Sequence, residues 1–453
     1  MRPFVHTLNR TVSWRCIVVA LVVPLLLGAC ATTHPPLMPT PTLYRTSEEP
    51  LFKDLPPDRQ TPYVDLIYVT DRAPRTEPDD PEPYTANRAR SMAFGTLRVE
   101  IGEGVGWSEL ASESASGIRT IPLEQRLGAV QELGRFPQII YPLVPVPGGI
   151  TRDPAMIDVH EKAAAGFKAL LARTVAESPR KEVVLFVHGY HDTFSDAAFT
   201  ASEIYHFLGR DFVCVMFSWP AGGTRGLMMG YDVDRESGEF SAEHLKKTIR
   251  MIADTPGVER VHLLAHSRGT DILSSAMAML NVETYITRTT LSDRLKIRNI
   301  VLAAPDMDFD VAAAKIFTVP SDPELPYGNA PSPRAVFPPP GFHLTVYVSP
   351  NDKALTVSQF LFGSVIRLGR IQASELPPEK IAEARKTGLF DVISVTEKTD
   401  MFGHSYFKSN PDASSDLVAL IRYGAKPGDK LRPLVAISPP FWRVRGPDDA
   451  LPQ

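Results

Sequence analysis

Residues 261–270 read VHLLAHSRGT, and the order of residue types in them sets the fold. An apolar run enters Ser267 directly, and good helix formers follow at 269–280. Small residues flank the serine two positions before it (Ala265) and two after it (Gly269). A sharp strand–serine–helix turn needs this, because bulky neighbours would collide with strand and helix. The hydroxyl then stands at a helix N-terminus, where the dipole favours negative charge. The plainer alternative is a serine that only caps the helix.

Outward from this turn, short apolar runs alternate with helical patterns. Strands are expected at 183–187, 212–217, 261–265, 300–304, 344–348 and 392–395. Helices are expected at 157–177, 194–208, 241–253, 269–280, 310–317, 354–368 and 414–423. Continuous apolar strands between helices indicate a largely parallel sheet covered on both faces. Residues 64–70 and 94–101 read as a further strand pair that extends the sheet edge, with a long polar loop at 71–90 between them.

A serine hydroxyl needs a base. Of the 11 histidines, only His343 and His404 follow Ser267, and serine, acid, histidine is the chain order on a sheet of this kind. His343 precedes its strand, which puts it at the wrong end. His404 follows the last expected strand, and ligands sit at the carboxyl ends of strands. Asp352, just after 344–348, is the preferred acid, and Asp306 is its rival. An oxyanion hole needs two backbone N–H groups, assigned to Arg268 and Tyr190. His188 reads as a brace for the loop holding Gly189 and Tyr190, and Trp219 as either a pocket wall or a core side chain. No ligand cluster for a metal, phosphate loop or dinucleotide fingerprint appears, so neither metal nor cofactor is expected.

The segments VLFVHGYHDTF, FSWPAGG, YDVDRES, LLAHSRGTDIL, VLAAPDMD, SPNDKAL and GHSYF, in this order, resemble a group of bacterial α/β-hydrolases of unknown function. Its members are often exported lipoproteins or esterase-like proteins. The resemblance spans roughly residues 64–425. It implies an α/β-hydrolase fold and a Ser267–Asp352–His404 triad, and it names no substrate. The chain departs from the pattern at Ala265, where glycine is usual, and at His191, where asparagine is usual.

The first 29 residues read as an export signal. Arg2, Arg10 and Arg15 precede an apolar run at 16–29, too short to span a bilayer. The run ends Leu27-Gly28-Ala29-Cys30, which resembles a bacterial lipobox and implies a lipid on Cys30. An uncleaved anchor or an ordinary cleaved signal is the alternative. Ala31 lacks the acidic character linked to inner-membrane retention, so the outer membrane, facing the periplasm, is favoured.

Removing residues 1–29 takes away three arginines and no acid, which moves the net charge from −4 to −7. That balance gives no hint of nucleic-acid binding. Cys214 lies in an apolar run and reads as a buried thiol. The 42 prolines cluster partly before residue 65. Residues 30–60 read as a Pro-rich tether reaching at most about 90 Å. The expected organisation is then a hydrolase domain at 61–425, comprising an extension at 61–180 and a core at 181–425, followed by a surface tail at 426–453. The insertion at 221–240 reads as a possible lid. The expected partners are a small-molecule or lipid ester and, through Cys30, a membrane. An acyltransferase with the same residues and a non-catalytic envelope scaffold both stay open.

Overall fold

The computed structural model describes residues 34–449 apart from 47–49, 78–79, 224–226, 323–340, 363–365, 398–399, 401 and 447–448. The export signal and Cys30 therefore lie outside the described residues.

The strands in chain order are β1 (Tyr63–Pro74), β2 (Tyr84–Ile101), β3 (Gln125–Arg135), β4 (Leu143–Val146), β5 (Gly149–Arg152), β6 (Glu182–Val187) and β7 (Val213–Ser218). They continue with β8 (Arg260–His266), β9 (Ile297–Ala303), β10 (His343–Val348), β11 (Phe390–Ser394), β12 (Leu434–Ser438) and β13 (Phe441–Val444). Eleven form one sheet in the order β12-β13-β11-β10-β9-β8-β6-β7-β1-β2-β3, and β4 and β5 make a separate hairpin. The run from β11 to β1 is parallel. The five helices that matter most are α1 (Pro154–Glu177), α2 (Phe194–Phe207), α3 (Leu227–Ala253), α4 (Gly269–Ile286) and α5 (Pro411–Tyr423).

The period of two along β6 explains the layering. Val183, Leu185 and Val187 enter one core with residues of α1, α3 and α4. Val184 and Phe186 enter the other, with residues of α2 and α5. The chain leaves β6 toward β7 and returns to β8 on its other side. That reversal opens a crevice at the carboxyl ends of β6 and β8, where ligands bind in open α/β sheets.

Four expectations are corrected. The polar stretch 71–90 is not one long loop, because β1 runs on to Pro74 and β2 starts at Tyr84. The helix expected at 241–253 begins at Leu227, so Ser241 lies inside it and the insertion is mostly helix. The tail does not only wrap the surface, because β13 pairs in parallel with β11 and β12 pairs with β13. Residues 34–60 are no free tether. Leu37, Met38, Leu43, Tyr44, Leu51 and Leu55 are buried, and the Leu37 N–H donates to the Leu123 carbonyl at 2.7 Å. The apolar residues there come in close groups at 37–38, 43–44 and 51–55, which a proline count conceals.

Candidate active site

β8 delivers Ser267 to the turn with φ +51°, a conformation that L-residues rarely hold. The turn is fixed by lack of room. A Cβ on Gly269 would lie 2.2 Å from the His188 carbonyl oxygen, and one on Gly189 would lie 2.9 Å from Ser267 Cβ. The β6 loop and the serine turn therefore interlock through two glycines.

His404 Nε2 lies 2.8 Å from Ser267 Oγ, and its Nδ1 lies 2.7 Å from Asp352 Oδ2. An ionised carboxylate only accepts, so Nδ1 carries the proton and Nε2 accepts from the serine hydroxyl. Asp352 is fully buried, and its Oδ1 accepts from the Leu355 N–H at 3.0 Å. Burial pulls the His404 pKa down, but the Asp352 carboxylate, with Asp306 and Asp400 further off, outweighs it and holds the pKa above its ordinary value.

Asp306 is engaged elsewhere. It accepts from Tyr231 Oη at 2.9 Å and Ser358 Oγ at 2.7 Å, and Arg367 stands 3.7 Å away. His343 sits at the start of β10 beside Asp391, at the opposite end of the sheet from the serine. Arg268 opens α4, and its guanidinium pairs with Asp271 at 2.7 Å and lies over the Tyr231 ring. Tyr190 follows Gly189 in the β6 loop, with its ring centroid 5.3 Å from that of Tyr231. The start of α3 thus packs beside the loop.

His188 is fully buried. Its Nε2 accepts from the Trp219 N–H at 3.0 Å, while Nδ1 faces the Gly189 carbonyl at 3.0 Å. Burial and the nearby Arg72 keep it neutral, well below the ordinary histidine range. Trp219 stacks on it at an interplanar angle of 6° and donates from Nε1 to its carbonyl. Trp219 is wholly buried, so it belongs to the core behind the loop and not to a pocket wall. Cys214 is also buried, and its thiol is pushed up to about 12.

Three residues that shape this region give no signal in the sequence pattern. Arg72, buried on β1, donates to Ser218 Oγ, to the Ala221 carbonyl and to the Asp192 carbonyl at 2.7–2.8 Å. It ties the loops after β6 and β7 to the N-terminal strand. Asp400 accepts from the N–H groups of Phe402, Gly403, His404 and Ser405. His266 lies between His404 and Phe407, with ring centroids at 5.0 and 4.9 Å, and burial keeps it neutral. Only their three-dimensional neighbours distinguish them. A charge on a strand, an aspartate in a loop and a histidine beside a serine are common in any sequence.

A mostly parallel sheet with its serine turn at the end of β8 is that of an α/β hydrolase. The chain belongs to the family described as "Alpha/beta hydrolase of unknown function (DUF900)", whose model matches residues 163–422. Among solved structures it is similar to an esterase of Pyrobaculum calidifontis, at 12% identity and a TM-score of 0.26 over 55% of this chain and 78% of that one. It is also similar to ESTFA in an iron-lacking apo form, at 11% identity and a TM-score of 0.27 over 60% of this chain and 97% of that one. None of the curated proteins matches it.

Proposed function

We propose that the protein is a serine hydrolase that cleaves an ester or related acyl bond through an acyl-enzyme on Ser267. The reading rests on one observation, the unbroken chain of contacts from Ser267 Oγ through His404 to Asp352 at 2.8 and 2.7 Å. Ser267 Oγ attacks the carbonyl carbon while His404 Nε2 takes its proton. Asp352 holds the tautomer and stabilises the imidazolium. The oxyanion of the tetrahedral intermediate accepts from the Arg268 and Tyr190 N–H groups. As the C–O bond breaks, His404 returns the proton to the leaving alcohol. Water then attacks the acyl-enzyme, giving its proton to His404, and the acid leaves as Oγ regains a proton.

In this reading a lipid on Cys30 holds the enzyme in the bacterial envelope, on the outer membrane facing the periplasm. What supports it is the apolar run ending in Leu-Gly-Ala-Cys, and globomycin, which blocks cleavage before a lipidated cysteine, tests it by causing precursor accumulation.

The catalytic reading is tested with a fluorophosphonate probe. The wild type should label covalently. Ser267→Ala and His404→Ala should lose labelling, and hydrolysis of short-chain p-nitrophenyl esters should fall about 1,000-fold or more. Folded wild type that stays unlabelled in detergent after long incubation would sink the reading.

A further inference from the structure

A cavity of about 600 Å³ lies between α1 and the C-terminal half of α3, apart from the serine site. Five cations line it: Arg152, Lys168, Lys247, Arg250 and Arg294. Three carboxylates oppose them: Glu243, Asp254 and Glu283. Two cations are matched, with Arg294 2.7 Å from Asp254 and Arg250 3.2 Å from Glu283. Glu243 is taken at 2.6 Å by Lys246, which leaves Lys247 3.8 Å from the same carboxylate. Among the described residues, neither Lys168 nor Arg152 has a carboxylate within 4.0 Å. In a chain of net charge −4, this is a local excess of positive charge. Burial, reinforced by Lys246 and Arg250 against the pull of Glu243, lowers the Lys247 pKa. An anion there would relieve the crowding of cations.

The rest of the wall is apolar at Met92, Phe136 and Met251 and polar at His160, whose Nδ1 lies 2.7 Å from the Tyr141 hydroxyl. Also in the lining, Tyr141 precedes the β4–β5 hairpin and Arg152 is its last residue. Beside the cavity that segment exposes Ile140 (92%), Leu143 (56%), Val146 (42%) and Ile150 (68%). Exposed aliphatics clustered on one short segment mark a contact surface.

We propose that this cavity binds the phosphate head of an anionic amphiphile, whose apolar chains lie along the hairpin. Lysines and a forked arginine suit a phosphate, and the chains account for the aliphatic side chains. A free phosphate would use only the first feature. The proposal does not depend on the chemistry at Ser267.

The test is calorimetric titration of the full chain in nonionic detergent with short-chain, ether-linked phosphatidate, which has no acyl ester for a serine hydrolase to cleave. Binding should be at least ten-fold tighter than for glycerol 3-phosphate or short-chain phosphatidylcholine. Lys168→Ala/Lys247→Ala, and separately Arg152→Ala, should each weaken it several-fold with an unchanged melting temperature, and Ser267→Ala should leave it unchanged. Equal affinity for glycerol 3-phosphate would reduce the site to one for free phosphate and overturn the amphiphile. Equal affinity for phosphatidylcholine, or undiminished binding in both cation variants, would overturn the site. Loss of binding in Ser267→Ala would move it to the serine crevice.

Discussion

At Ser267 one hydrogen bond and one backbone angle do most of the work. His404 must be neutral to accept the serine proton, and its pKa is held above the ordinary value of 6.5. Activity should therefore rise with pH along a limb centred above 6.5. In Asp352→Asn the carboxylate that raises the pKa is gone, and burial remains. The limb should move to lower pH, and kcat should fall by about 1,000-fold or more because the amide no longer selects the Nδ1–H tautomer. A kcat/KM profile of both proteins checks the sign; an unmoved limb would mean that His404 does not set it. Gly269 offers a second test. Alanine normally favours a helix over glycine by about 1 kcal/mol. Here its Cβ would meet the His188 carbonyl at 2.2 Å, a backbone atom that cannot swing away. Gly269→Ala should therefore destabilise by about 1–3 kcal/mol in urea melts. A neutral or stabilised variant would show that the β6 loop can retreat.

At the level of single elements, the His404 loop depends on Asp400, whose carboxylate gathers the N–H groups of four successive loop residues. Without it those donors lose their partner and the histidine loses its placement. Asp400→Ala should lower kcat by about 10–100-fold with KM little changed, because misplacement of a reacting group is felt in the chemical step. Asp400→Asn, which keeps one acceptor oxygen, should recover part of the loss, while equal defects in the two variants would point to charge. Elements differ in how well the sequence announces them. Strands β6 to β10 were legible because both of their faces are buried, which leaves an unbroken apolar run. Strand β3 (QRLGAVQELGR) was not, because it is the sheet edge and only its first residue is buried. The early turns of α3 were hidden too, because Gly230 and the charged residues at 232, 234, 235 and 236 interrupt the apolar period that marks a helix. Asp234 is nonetheless buried and accepts from the His191 and Gly222 N–H groups. The contact chain of Ser267, His404 and Asp352 was legible because chain order and strand ends limit the choices. Arg72 was not, since nothing local marks a strand arginine that serves two distant loops.

For the molecule as a whole, the N-terminal segment is part of the body. The Tyr44 hydroxyl donates to the Phe207 carbonyl at 2.7 Å and also meets Arg422, itself buried on α5. Tyr44→Ala should cost about 3–5 kcal/mol, measured by thermal or urea unfolding. A chain starting at residue 34 should melt like the full protein, whereas one starting at residue 50 should melt well below it. If the shorter chain were equally stable, the packing of residues 35–46 would contribute nothing. Under the proposed lipid anchor, that packing would also set how far the enzyme can work. With a lipid on Cys30, residues 31–34 separate the anchor from Pro35, whose carbonyl accepts from the Gln125 N–H at 2.9 Å, a reach of about 17 Å when extended. A body of this size is on the order of 55 Å across. Such an enzyme would skim the bilayer with less slack than its own radius. It would meet its substrates by lateral diffusion in that thin layer, and a molecule dissolved deeper in the compartment would have to come to the membrane to be hydrolysed.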